Sequence, residues 1–133
     1  LLGGQCNVAT ARLNKTSKHD VDIYGSATLE NERGEIAHIA FGMDNSYKCD
    51  VEVWGSLGTI STHRIFTPPL EMKTEIIVKN TEEKHIIVEG DDQFKNSLIY
   101  FCNCMKNQTI RRQNYNAIRE QNRLMMDVIN QGN

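Results

Sequence analysis

The sequence has 133 residues, of which 39% are hydrophobic and 24% are charged, and its formal net charge is −2. A chain of this size suits one domain and buries roughly two-thirds of its extended-chain surface, which is enough for a hydrophobic core. Without a basic excess it lacks the electrostatic footprint of a nucleic-acid-binding protein, and no apolar run approaches the ~20 residues needed to cross a bilayer.

The cysteines argue against an extracellular disulfide framework. Cys6, Cys49, Cys102 and Cys104 are scattered, and Cys102-Asn-Cys104 lacks the two-residue spacer of zinc and thioredoxin-type pairs. The pattern predicts a reduced, cytoplasmic protein, with Cys49 and Cys102 packed in the core.

The first residues, Leu1-Leu2-Gly3-Gly4, are typical of a helix end stopped by glycine, and the chain begins without Met. The sequence is therefore interpreted as a fragment of a longer protein.

Seven stretches have the composition or the period-2 alternation of β-strands. Between residues 47 and 54, for example, Cys49, Val51 and Val53 alternate with polar residues. Residues 14–20 are predicted to form a polar loop. The predicted strands are Gln5–Leu13, Val21–Leu29, Ile36–Met43, Tyr47–Trp54, Thr59–Ile65, Glu71–Lys79 and His85–Glu89. Consecutive strands without intervening helices indicate a large, mostly antiparallel sheet.

Two helices are predicted after the strands. Asp91 or Asp92 is expected to cap the first helix, whose apolar stripe should pack on the sheet; the stripe comprises Phe94, Leu98, Phe101, Cys102 and Met105. A polar link at residues 106–113 precedes a second helix beginning near Asn114, and residues 130–133 are expected to fray. The predicted fold class is α+β: an open, mostly antiparallel sheet of about seven strands with two C-terminal helices packed on one face.

The sequence contains no common catalytic motif. G-x-G-x-x-G, G-x-x-x-x-G-K-[ST], G-x-S-x-G and H-E-x-x-H are all absent. Gly55-Ser-Leu-Gly58 superficially suggests a phosphate loop, but it joins two predicted strands rather than a strand and a helix, which favours a hairpin turn. The histidines at 19, 38, 63 and 85 lack the spacing of metal ligands. No catalytic or metal-binding residue is therefore predicted.

Three further patterns each allow two interpretations. Asp91-Asp92 is either a general acid/base carboxylate pair or, more simply, the helix cap. Arg111-Arg112 either binds an anion or is a solvated basic pair. Tyr47, Trp54 and Phe66 either stack on a base or sugar or, as we favour, are buried strand aromatics.

Several motifs together resemble the carboxy-terminal domain of the Gfo/Idh/MocA family of NAD(P)-dependent oxidoreductases. They are Leu1-Leu2-Gly-Gly, Asp20–Leu29 with Gly34–Phe41, Glu52-Val-Trp-Gly-Ser-Leu-Gly-Thr-Ile60, Phe66-Thr-Pro-Pro69, Asp91-Asp-Gln-Phe94 with Phe101, and the final helix with Gln121, Leu124 and Asp127. The resemblance covers nearly all 133 residues, and Trp-Gly-Ser-x-Gly with Phe-Thr-Pro-Pro is similar to the branch that acts on nucleotide-linked sugars.

The resemblance implies that residues 1–133 are one domain, which binds substrate and forms a homodimer, or a higher oligomer, through its open sheet face. The resemblance also implies NAD or NADP for the full-length protein. The family's cofactor motif and catalytic residues have no counterpart in this chain. The fragment alone is expected to be inactive. The alternative is a stand-alone sheet-based binding or assembly module that has no cofactor.

A sugar diphosphate needs cations and amide donors at the rim of the sheet. Arg12, Lys15, Arg64 and Gln93 are the residues expected to bind such a substrate.

Overall fold

The computed structural model describes residues 2–66 and 68–132. Predictions that involve Leu1, Thr67 and Asn133 concern positions outside the described residues. The elements are β1 (Cys6–Thr16), β2 (His19–Asn31), β3 (Ile36–Gly42), β4 (Asp50–Gly55), β5 (Gly58–His63), β6 (Thr74–Lys79), β7 (Glu83–Val88), α1 (Gln93–Lys106) and α2 (Gln108–Gly132).

The α+β class is confirmed, with seven strands followed by two helices. Every strand pair is antiparallel, but the strands form two sheets, ordered β1-β2-β3 and β4-β5-β6-β7, rather than the single expected sheet. Residues 43–49, which form no strand, separate the two sheets in the chain. Among the described residues, no ladder of hydrogen bonds joins β3 to β4. Two compact units result, comprising residues 2–45 with 107–132 and residues 46–106.

The first unit is a three-stranded sheet with α2 packed on β1. Cys6, Val8 and Ala27 are buried, and the small residues of β1 allow this close packing. A Cβ atom added to Gly132 of α2 would lie 2.5 Å from Leu13 Cγ. The predicted loop at residues 14–20 is wrong, because β1 and β2 extend to the pair Thr16–His19 across two irregularities in register.

The second unit is a four-stranded sheet with α1 following it in the chain. The strand register places seven apolar side chains on one face, which we call the apolar sheet face: Val51, Val53, Ile60, Ile76, Val78, Ile86 and Val88. The opposite face carries mainly charged and polar side chains. The alternation that predicted these strands is thus confirmed, although β6 starts three residues later than expected.

Helix α1 begins as predicted. The Lys95 backbone N–H donates to Asp92 Oδ1 over 2.9 Å, which makes Asp92 the N-cap. The expected packing of its apolar stripe is not seen, since Phe94, Leu98 and Phe101 are exposed.

The predicted core cysteines are also wrong. Cys102 is exposed and Cys49 is half-buried, whereas Cys6 and Cys104 are the buried thiols.

Helix α2 starts six residues earlier than predicted. The Asn107 Oδ1 atom accepts hydrogen bonds from the backbone N–H groups of Thr109 and Ile110, at 3.0 and 3.2 Å. Asn107 is therefore an N-cap, and the expected polar link is helical. The helix also continues through residues 130–132, which were expected to fray. Neither α1 nor α2 is long and apolar enough to cross a membrane.

Candidate functional site

The four residues expected to bind substrate fall in two pairs. Arg12 and Lys15 are exposed residues of β1 in the first unit, opposite Ser26 and Asp22 of β2. Arg64 and Gln93 belong to the second unit, where Arg64 follows β5 and Gln93 begins α1.

Arg12 lies on a polar sheet surface. It is on the face opposite Leu13, the residue that packs against Gly132 of α2. On the same face Thr10, Thr28 and His38 form a row across the three strands, with 3.1 Å between Thr28 Oγ1 and His38 Nδ1. This surface offers hydroxyl, imidazole and guanidinium groups to a polar ligand.

Arg64 adopts an unusual backbone conformation. Its φ angle is +53°, in the left-handed region that costs a non-glycine residue roughly 1–2 kcal/mol. The guanidinium carbon lies 4.6 Å from the centroid of the Tyr47 ring, a cation–π contact. The chain is held here by a hydrogen bond from the Ile65 N–H to the Cys49 carbonyl, at 3.4 Å.

Charged groups also lie at this end of the hairpin, where Lys48 precedes β4, Asp50 begins β4 and His63 ends β5. The distance from His63 Nδ1 to Asp50 Oδ1 is 2.8 Å, and Lys48 Nζ lies 3.9 Å from Asp50 Oδ2. The hydrogen bond with His63 is the main cause of a lowered pKa at the Asp50 carboxyl, and the charges of His63 and Lys48 lower it further. The carboxylate consequently holds the imidazole through Nδ1.

We call Tyr47, Lys48, Asp50, His63 and Arg64 the Arg64 cluster. A shallow depression of about 330 Å³ lies at this end of the β4–β5 hairpin; its lining includes Lys48, Asp50 and His63 of the cluster together with Glu52 and Ser61. Guanidinium and ammonium groups bind phosphate oxygens, and an aromatic ring can stack on a planar ligand. The cluster therefore combines groups suited to a phosphorylated, partly planar molecule.

Gln93 has a partner within its own unit. Its Nε2 donates to the carbonyl oxygen of Pro68 over 3.2 Å and so ties the proline segment to the first residue of α1. The side-chain amide thus has a structural task, which the sequence did not indicate.

The aromatic residues of this unit are not buried, contrary to the interpretation that we favoured. Tyr47, Trp54 and Phe66 are exposed by 63, 80 and 68%. Tyr47 has a cationic neighbour, the guanidinium of Arg64.

The remaining candidates lack the geometry of catalytic or metal sites. Asp92 caps α1, and Asp91 Oδ2 accepts a hydrogen bond from the Asn96 side chain at 2.6 Å. Arg111 and Arg112 lie within α2 rather than in a link. Among residues 2–66 and 68–132, no three His, Cys, Asp or Glu side chains are grouped so that they could hold a metal ion.

Sequence reasoning identified Arg64 but missed its neighbours. Lys48, Asp50 and His63 are brought together because β4 and β5 pair Asp50 with His63. The signal available was the hairpin itself: counting back from the turn at Gly55 and Gly58 places residues 50 and 63 opposite each other.

Known proteins show similarity over about three-quarters of the chain. It is 32% identical over 102 residues to the dTDP-3,4-didehydro-2,6-dideoxy-α-D-glucose 3-reductase of Saccharopolyspora spinosa, an alignment that covers 74% of this chain and 30% of that protein. The enzyme of the same name from Actinomadura kijaniata is 29% identical over 101 residues, which cover 75% of this chain and 30% of that protein. The chain is similar to part of a nucleotide-sugar 3-ketoreductase.

Solved structures agree with the sequence comparison. The crystal structure of KijD10, a 3-ketoreductase from Actinomadura kijaniata in complex with TDP-benzene and NADP in an open conformation, matches with a TM-score of 0.74 and 28% identity. The match covers 78% of this chain and 33% of KijD10, so the chain spans about a third of the length of its relatives. No protein-family model matches the sequence.

Proposed function

We propose that this chain is the substrate-binding and dimerisation domain of an NADP-dependent oxidoreductase that acts on a nucleotide-linked sugar. The observation that carries the proposal is the joint similarity, in sequence and in fold, to dTDP-sugar 3-ketoreductases over about three-quarters of the chain. The resemblance to the Gfo/Idh/MocA family supports the same function, with this chain as a single domain carboxy-terminal to a Rossmann domain.

The described residues do not fit the cofactor. NADP-binding folds hold the pyrophosphate at a glycine-rich turn between a strand and a helix, whereas the turn at Gly55–Gly58 joins β4 to β5. We therefore assign the cofactor and the catalytic residues to polypeptide outside this chain, and expect the chain alone to be inactive.

The substrate contacts proposed are Arg12, Lys15, Arg64 and Gln93. Arg64 has the strongest support, because its backbone conformation and its contact with Tyr47 hold the guanidinium at the end of the β4–β5 hairpin, where it could donate hydrogen bonds to a diphosphate. Gln93 has the weakest support, since its amide nitrogen already bonds Pro68.

The proposed homodimer forms through the apolar sheet face. Ile60 on this face is 47% exposed and Val53 is 40% exposed, and paired apolar faces exclude water in a two-fold interface. Ile60→Lys should lower the mass measured by light scattering, whereas Thr59→Lys, on the other face, should not. Equal masses for both variants would count against this interface.

We place the protein in the cytoplasm, where its four reduced thiols would persist. The second candidate is a stand-alone sheet-based binding or assembly module that has no cofactor. The two candidates differ in whether the complete protein binds NADP.

Isothermal titration of the product of the complete reading frame tests the proposal. We expect saturable binding of NADP and of dTDP, with uridine diphosphate bound more weakly. Binding of dTDP without NADP would favour the stand-alone module, and binding of neither ligand would contradict both proposals.

A further inference from the structure

Strand β7 is an edge strand of the four-stranded sheet. It pairs with β6 on one side, and no described strand pairs with its other side. All six of its residues are exposed, including Ile86, Ile87 and Val88. An edge of this kind presents unpaired N–H and C=O groups to any strand that can align with it.

The Ile86–Val88 stretch of this edge lacks the usual features that block such pairing. The β6–β7 register runs through six consecutive pairs without a bulge, and β7 contains no proline. Its only lysine, Lys84, lies near the strand's beginning, away from the Ile86–Val88 run. The edge is therefore regular and has no partner strand among the described residues.

We propose that β7 pairs in antiparallel fashion with β7 of a second copy of this chain and joins two four-stranded sheets into one of eight strands. This contact goes beyond the homodimer of the proposed function, because it uses the edge of the sheet rather than its face. A two-fold axis perpendicular to the sheet keeps each residue on its own face, so only same-face residues can oppose each other.

One register matches the chemistry of the strand. With the axis at Ile87, this residue faces its own copy, Ile86 faces Val88, and His85 faces Glu89 on both sides of the axis. In this register Ile86, Ile87 and Val88 lie opposite apolar residues of the second copy. The imidazolium of His85 lies opposite the carboxylate of Glu89, and cross-strand pairs of opposite charge contribute to strand pairing. Glu89 is already positioned by Lys73, at 2.9 Å.

Other self-pairings are less favourable. A register of β7 centred on Ile86 would oppose the polar His85 to the apolar Ile87, and Lys84 to the apolar Val88. On the remaining edge, β4, registers centred on Val51 or Glu52 oppose acidic side chains to each other. Of the self-pairings compared, the β7 register centred on Ile87 is therefore the best matched.

Two substitutions of Ile87, one to lysine and one to glutamate, test the register in the complete protein. The Ile87 side chain is 56% exposed, so a charged replacement at this position stays in contact with water. We expect I87K and I87E each to raise the dissociation constant of the edge contact about tenfold or more, through like charges at the axis. Mixing I87K with I87E should restore the mass of the wild-type assembly in sedimentation equilibrium. Leu57→Lys, at the exposed β4–β5 turn, is the matched control and should have no effect.

Amide hydrogen exchange gives a second measurement that needs no variant. Outward-facing N–H groups of residues 86–88 should be protected in the wild-type protein and lose protection on dilution. Unprotected amides, an unchanged mass in I87K and I87E, or mixtures that do not reassemble would each overturn the edge pairing. If NADP and dTDP still bind in that case, the proposed function stands and only the edge pairing is wrong.

Discussion

Arg123 of α2 donates a hydrogen bond from its guanidinium to the backbone carbonyl oxygen of Cys6, at the start of β1. Two carboxylates orient it, Glu120 and Asp127, the latter at 2.8 Å. Further along the helix, Gln131 Nε2 donates to the Val8 carbonyl over 3.1 Å. These bonds fix a polar helix to a strand that has few buried side chains.

Replacing Arg123 should therefore loosen α2. Arg123→Lys keeps the charge but cannot reach Cys6, Glu120 and Asp127 together, because lysine lacks the forked guanidinium. We expect a lower urea midpoint and faster amide exchange in α2. Arg119→Lys, an exposed site on the same helix, is the control, and equal midpoints for the two variants would refute the role of Arg123.

Asn31 is the buried polar residue of the first unit, with 5% of its surface exposed. Its Oδ1 accepts hydrogen bonds from the N–H groups of Arg33 and Glu35, and its Nδ2 donates to the Gly3 carbonyl over 2.9 Å. Asn31→Ala should reduce the free energy of unfolding by about 2–3 kcal/mol, since the buried side chain's hydrogen bonds to the backbones of Gly3, Arg33 and Glu35 are lost together. Asn80→Ala removes a comparable but exposed turn contact and should cost about 0.5–1 kcal/mol. Chemical denaturation that gives the reverse order would contradict the assignment.

His85 should titrate above its ordinary pKa of 6.5. Hydrogen bonds to Glu75 and then Glu83, at 2.9 and 3.1 Å, favour the imidazolium and raise the pKa. Its contribution to stability is therefore fully present below pH 6.5 and is lost as the pH rises through the folded-state pKa. NMR titration should show a larger fall in the His85 pKa in Glu75→Gln than in Glu83→Gln. A wild-type value at or below 6.5 would show that these contacts do not form.

Arg64 and Glu71 form a matched pair, because both are non-glycine residues with positive φ, at +53° and +60°. Glycine at either position relieves backbone strain of roughly 1 kcal/mol. In Arg64→Gly this gain is offset by loss of the contact with Tyr47, so the net change in stability should be within about 1 kcal/mol of zero. We expect Arg64→Gly to weaken dTDP binding by the complete protein about tenfold or more, whereas Glu71→Gly leaves it unchanged. Equal affinities would remove Arg64 from the proposed site.

Local patterns in the sequence predicted the local structure well. The alternation of Val51 and Val53 with charged residues located β4, and Asp92 located the start of α1, because side-chain period and capping depend on neighbours in the chain. The start of α2 was missed because its first turns are polar and were interpreted as a link. Asn107 was the available capping signal.

Non-local features could not be predicted in the same way. The Arg64 cluster depends on the register of β4 and β5 and on one unusual φ angle, neither of which periodicity reveals. The exposure of Trp54 and Phe66 likewise depends on which layers surround the sheet. Arg64 itself was predicted from charge alone, and its binding role stays a prediction.

The most direct test of the central claim is an activity assay of the product of the complete reading frame with NADPH and a dTDP-linked 3-ketosugar, followed by the loss of NADPH absorbance. We predict that turnover requires the nucleotide-linked sugar and does not occur with the unlinked sugar. We also predict that Arg64→Gly reduces turnover more than Glu71→Gly does. NADPH consumption that is the same with and without the nucleotide group, or no consumption with any nucleotide sugar, would contradict the account.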